Sequence, residues 1–162
     1  MMAANTNQTG ADLKILYLNA SHCYAATQNA LAVAAKDNYD ILMLIEPYYP
    51  ARASTIKAPG WEAICGARSA LLIRGDIRHT PHLTGHPDIV ATLTNNTVLT
   101  CIYTSPNEPM EPPLHTLLTF LQTTNTTKTI LGGDLTAELP SSQDASQIKE
   151  EHSLRTSSKA QL

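Results

Sequence analysis

Charge is scarce in this chain. Charged residues make up 15% of its 162 residues and the formal net charge is -3, where roughly a quarter of an ordinary globular protein is charged. No basic field covers the molecule as a whole, which argues against strong non-specific attraction to nucleic acid. A protein that meets a phosphate through a bound cation is still open, because the ion brings its own positive charge. Cysteine is also sparse. Cys23, Cys65 and Cys101 are odd in number and widely spaced, which excludes a disulfide framework and a zinc-ligand pattern and predicts buried free thiols. The longest strongly apolar run, "ILMLI", is far short of a membrane span. The opening "MMAANTNQTGADLK" lacks the apolar core of a secretory signal. These absences predict a soluble intracellular protein with no membrane partner. "YLNASHCY" has none of the glycines of a phosphate-cradling loop, so no nucleotide cofactor is expected.

Apolar residues are plentiful, at 43%, and the length suits one domain with a sizeable core. Residues 1–12 read as a disordered lead-in, 13–140 as the domain and 141–162 as a polar tail. "LKILYLN" predicts a strand, apolar on both faces as a covered central strand is. From His22 to Lys36, the residues Tyr24, Gln28, Leu31 and Ala35 recur at helical spacing, with Ser21 as a candidate cap. "YDILMLIE" is a second buried strand, making a βαβ unit with parallel strands. "WEAICG" and "SALLIRGD" predict two short strands about a Gly-Ala-Arg turn. "DIVATLT" and "TVLTCIYT" flank Asn95-Asn96, which suits a left-handed hairpin turn between half-buried strands. "EPPLHTLLTFLQTT" predicts a helix with Pro112 and Pro113 in its first turn and a stripe of Leu114, Leu117, Leu118 and Leu121. "TILGGD" predicts a further buried strand. The threonines between Thr92 and Thr129 read as strand-face and loop residues.

Three polar residues close predicted strands: Asn19 the first, Glu46 the second and Asp134 the last. The carboxyl ends of parallel strands share one edge in an open α/β sheet, and ligands bind there. Glu46 stands between "ILMLI" and "PYYP", where packing gives no reason for an acid. Gly132 and Gly133 precede Asp134 and allow tight turning or close approach by a ligand. Two carboxylates and an amide are hard oxygen ligands, suited to magnesium or manganese rather than zinc. In that scheme Glu46 holds the metal, Asn19 orients Glu46 or a phosphate, and Asp134 positions or activates water. Tyr103 ends the hairpin strand, where its hydroxyl can donate to a phosphate oxygen. His22 and His115 have no metal-ligand spacing. His79, His82 and His86 lie in a Pro- and Gly-containing loop that predicts exposure, and His152 is a tail histidine.

"ILYLNASHCYAATQNALAVAAKDNYDILMLIEPYY", "CIYTSPNEP" and "TILGGDLTA", in that order, resemble the endonuclease/exonuclease/phosphatase (DNase I-like) superfamily. Within it they look most like the apurinic-type endonuclease domain of non-LTR retrotransposons. The resemblance implies a four-layer α/β sandwich with two packed mixed sheets flanked by helices. It also implies a magnesium-dependent, DNA-nicking phosphodiesterase site along one edge, and nuclear work in a functioning retroelement. On this pattern Asn19, Glu46, Tyr103 and Asp134 match the family's asparagine, metal-binding glutamate, tyrosine and aspartate.

The chain departs from that pattern in two places. The family reads Gly-Asp-Phe-Asn where this chain has Gly133-Asp134-Leu135-Thr136, and the hydroxyl of Thr136 is a weak substitute for an amide. The family's later acid and Asp-His pair have no counterpart beyond Glu151-His152. The expectation is a truncated domain, weakly active or inactive, with an exposed sheet edge that a second chain covers. The competing readings are a non-catalytic scaffold or interaction protein that keeps the family core, and an unrelated small α/β ligand-binding domain.

Overall fold

The strand Ile41–Ile45 (β2) is buried along its whole length, and its alternation explains why. Ile41, Met43 and Ile45 join Leu71, Ile73, Leu99, Cys101 and Tyr103 in one apolar cluster. Leu42 and Leu44 join Ala30, Ala34, Ala70 and Leu72 in another. Side chains of period two need a partner layer on each face, and β2 has both. In the computed structural model, which describes residues 13–50, 53–82, 84–124 and 128–135, the elements run in the following order. Ile15–Asn19 (β1), Tyr24–Lys36 (α1) and β2 come first, then Trp61–Cys65 (β3), Ser69–Arg74 (β4) and Thr80–His82 (β5). Ile89–Thr94 (β6), Thr97–Thr104 (β7), Glu111–Thr123 (α2) and Lys128–Leu135 (β8) complete the order.

Two four-stranded sheets result, ordered β1-β2-β4-β3 and β5-β6-β7-β8. The pairs β1–β2 and β7–β8 are parallel and the others antiparallel. The first cluster lies between the sheets. Helix α1 covers the outer face of the first sheet. Helix α2 covers the outer face of the second, through Leu117 on Ile89 and Ile102 and Phe120 on Ala91 and Val98. Helix, sheet, sheet, helix is a mixed α/β architecture consistent with a partial DNase I-like sandwich. The βαβ unit, the β3–β4 pair and the Asn95-Asn96 hairpin all form as expected. Asn95 and Asn96 have φ of 46° and 59°, the left-handed pair that matches strand twist. Asn96→Ala is therefore expected to lower stability by about 1 kcal/mol, and Asn96→Gly to preserve it, as read by urea unfolding.

Other expectations are corrected. Among the described residues β1 is an edge strand, not a central one, and β8 is an edge strand too. Far from buried, β8 exposes Ile130, Leu131 and Leu135, at 38%, 44% and 44%. Strands β6 and β7 are buried on both faces rather than half-buried, because α2 covers the face turned away from the first sheet. Thr92, Thr94, Thr97, Thr100 and Thr104 are buried with them. Helix α1 buries Thr27, Ala30 and Ala34, while Tyr24 turns out to meet Tyr48 edge-on at 5.4 Å. Its N-cap is Cys23, not Ser21. In α2 Leu118 is exposed and Phe120 takes the inward place. His79 is not a loop histidine in solvent. Its side chain is 7% exposed, with Nε2 3.4 Å from Glu62, and β5 begins beside it. Of the three thiols only Cys101 is buried, and burial pushes its pKa up to about 12.

Candidate active site

The sandwich brings the carboxyl ends of its two parallel pairs to one edge. Asn19 lies beside Ile45 in the first sheet, with Glu46 following directly. Tyr103 lies beside Asp134 in the second. Asn19, Tyr103 and Asp134 have the parity that points between the sheets: Tyr103 joins the intersheet cluster, and Gly132, two residues before Asp134, backs onto Met43 and Tyr17. The four residues singled out from the sequence are thus gathered across the gap.

Their pairing differs from the expected scheme. The Asn19 amide Nδ2 donates to Asp134 Oδ2 at 3.2 Å, and the Glu46 carboxylate lies near enough to the Tyr103 hydroxyl to raise its pKa. Each sheet contributes one carboxylate, and each carboxylate has a neutral polar group from the opposite sheet beside it. Burial raises the Tyr103 pKa most, the neighbouring Glu46 adds to this, and nearby Arg68 opposes it. The Tyr17 hydroxyl is also raised, by burial and then by the charge of Asp134.

The backbone here is bent against its preference. Ser21, His22 and Glu46 have φ of 45°, 54° and 46°, in the left-handed region that costs a side chain-bearing residue about 1–2 kcal/mol. Among the described residues the other positive-φ positions with side chains are the turn asparagines Asn38, Asn95 and Asn96. The bends are over-determined by hydrogen bonds. Asn19 Oδ1 accepts from the Ser21 N–H at 2.9 Å and hydroxyl at 3.3 Å. The Glu46 N–H donates to Arg68 O, and the Glu46 carbonyl accepts from the His22 N–H, both at 2.7 Å. Backbone strain held in this way clusters at active sites, ligand clamps and switch regions. The "EPYY" loop is anchored behind it, since the Tyr48 N–H donates to Thr27 Oγ1 at 3.0 Å and the Tyr49 hydroxyl to Gly66 O at 2.8 Å.

Several residues at this edge were not singled out from the sequence. His22 Nε2 lies 3.5 Å from Glu46 Oε1, and the turn before α1 carries it there. Arg68 Nε and Nη2 grip Asp88 at 3.0 and 2.6 Å, and Nη2 also reaches Glu108 at 2.9 Å. Its guanidinium lies 4.7 Å from the Tyr103 ring centre. Asp88 is 2% exposed, and a fully buried acid requires a cation, but no signal along the sequence marks it. A cavity of about 220 Å³ opens beside Tyr103, between His86, Asp88, Glu108 and the prolines that start α2. A larger one, about 610 Å³, lies at the opposite end of the sheets around Glu62, His79 and Asn95, away from these residues. Thr136 and His152 lie outside the described residues, as does the side chain of His82.

Among the described residues no three His, Cys, Asp or Glu side chains gather as a metal cage. What the edge offers is two carboxylates with no thiolate. That donor set does not suit zinc or calcium, which take most ligands from protein, but it fits magnesium or manganese, ions held by one or two carboxylates and otherwise by water and phosphate.

No family model and no curated protein matches the sequence. Solved structures do match. The endonuclease domain of TRAS1, a telomere-specific non-LTR retrotransposon, superposes with a TM-score of 0.64 at 18% identity, over 79% of this chain and 61% of that one. A humanized D. rerio TDP2 carrying 14 mutations matches at 14% identity with a TM-score of 0.46, over 77% of this chain and 63% of that one. This chain therefore spans about three fifths of the length of these two solved proteins. At this identity the first likeness shows a shared fold.

Proposed function

We propose that this chain is a divalent-metal-dependent phosphodiester hydrolase that nicks DNA, of the kind found in retroelement endonucleases. The observation that carries the reading is the gathering of Asn19, Glu46, Tyr103 and Asp134 at one strand-end edge, with Asn19 bonded to Asp134 across the two sheets. Glu46 is the residue to hold Mg2+ or Mn2+, and the bound ion supplies charge neutralisation at the phosphate. The chain's own groups do the rest. Asp134 takes the proton of the attacking water, and the Asn19 amide keeps its carboxylate aimed into the gap. The Tyr103 hydroxyl turns from Glu46 to donate its one proton to a non-bridging phosphate oxygen. Thr136 stands where the family pattern has an asparagine, and the loss of that amide lowers the rate by ~10²-fold, on the scale of a lost oxyanion donor. The exposed apolar residues of β8 support the expectation that a second chain covers this edge.

The test is supercoiled plasmid with magnesium, beside a chelated control and Asp134→Ala. The expected result is slow nicking that needs metal and is lost in Asp134→Ala by ~10²-fold or more. Equal background in all three would overturn the hydrolase reading and favour the non-catalytic scaffold.

A further inference from the structure

Arg68 is the most connected side chain at the candidate edge, and the scheme above gives it no part. It touches both members of the Tyr103–Glu46 pair. Its carbonyl oxygen accepts the Glu46 N–H at 2.7 Å, which helps hold Glu46 in the left-handed conformation. Its guanidinium lies over the Tyr103 ring at 4.7 Å, a cation–π contact. A second route reaches the same tyrosine: both Arg68–Asp88 hydrogen bonds fix Asp88, whose carbonyl accepts the Tyr103 N–H at 3.0 Å.

A cation beside a phosphodiesterase site invites the reading that it binds DNA. The geometry is against it. Two carboxylates already hold the guanidinium, Asp88 with a side chain only 3% exposed and Glu108 on the rim. An anion would have to displace them, and the remaining acidic groups would repel it. Lysine could not replace this arginine either, because only a planar fork can span a carboxylate and stack on a ring together.

We infer that Arg68 is a positioning residue whose guanidinium, anchored by Asp88, sets the Tyr103 ring beside Glu46. The inference rests on the reading of this pair as the reacting edge, and it predicts a distinct signature. Arg68→Lys lowers nicking through kcat by roughly 10- to 100-fold, the usual cost of a group that orients a ligand. KM for plasmid and its salt dependence do not change. In a Tyr103→Phe background the same substitution costs little, because the group it positions is already gone.

Arg68→Met alone would orphan buried Asp88, so Arg68→Met with Asp88→Asn serves as the second variant. Both variants are also examined by NMR with ring-labelled tyrosine, the Tyr103 signal being assigned by its loss in Tyr103→Phe. The Tyr103 signal should move in both while those of Tyr17 and Tyr49 stay. If the wild type does not nick, the hydrolase reading fails on its own, and the NMR arm still decides whether Arg68 sets the tyrosine. An unmoved Tyr103 signal, a rise in KM in place of the fall in kcat, or full additivity with Tyr103→Phe would overturn the inference.

Discussion

Glu46→Gln is expected to lower metal-dependent nicking by at least ~10²-fold while leaving the fold nearly as stable as before. The amide has the same shape, keeps an oxygen beside the Tyr103 hydroxyl, and leaves the main-chain bonds of residue 46 to Arg68 and His22 in place. What it loses is the charge that a divalent ion requires. The effect is therefore separable from folding by two measurements on one protein. The first is nicking rate. The second is the rise in melting temperature when magnesium is added, since an ion that binds only the folded state at a hundred times its Kd adds about 2.7 kcal/mol. The wild type should show that rise, and Glu46→Gln should show little of it. A variant that nicks and responds to magnesium like the wild type would remove Glu46 from the metal's surroundings.

Gly133→Ala should be the most disruptive single-methyl change near the site. A Cβ at this position would run into the carbonyl oxygen and Cγ2 of Ile102 on β7, and the backbone of a central strand cannot withdraw. A loss of about 1–3 kcal/mol is expected from overpacking alone, visible as a lower urea midpoint, together with displacement of Asp134 next door. Gly132→Ala is the informative companion. Its Cβ would meet the Met43 Sδ at 2.5 Å, the end of a flexible side chain that can swing away, so a smaller loss is expected. Equal stability of Gly133→Ala and wild type would mean that β8 does not pair closely with β7.

These glycines show where the sequence was suggestive and still misleading. Next to an acid at a strand end, Gly132-Gly133 invites thoughts of a tight turn or a ligand. Neither has a positive φ. Both are strand residues whose missing Cβ atoms let β8 lie against the chain's own Ile102, Met43 and Tyr17. A sequence shows that space is needed, but not what fills it.

The helix faces make a related point. Tyr24, Gln28, Leu31 and Ala35 share a helical face, yet α1 turns Thr27, Ala30 and Ala34 inward. Small residues allow close approach to the sheet, and Thr27 is drawn in by its hydrogen bond to the loop after Glu46. Neither Arg68 nor its partners could be found by spacing. Asp88 is 20 residues and Glu108 40 residues from Arg68, and nothing local marks the three as one cluster.

By itself the sequence determined the element order apart from β5, where it predicts a loop, the parallel βαβ unit, the Asn-Asn hairpin and the strand ends that carry Asn19, Glu46, Tyr103 and Asp134. Those features depend on local periodicity, turn chemistry and the shortness of the connections, all of which are written along the chain. Only the tertiary structure decided that Asn19 holds Asp134 while Tyr103 lies beside Glu46, that β8 lies exposed at an edge, and that Arg68 braces the tyrosine. Each of these follows from how two sheets stack and align, and that depends on contacts between residues far apart in the chain.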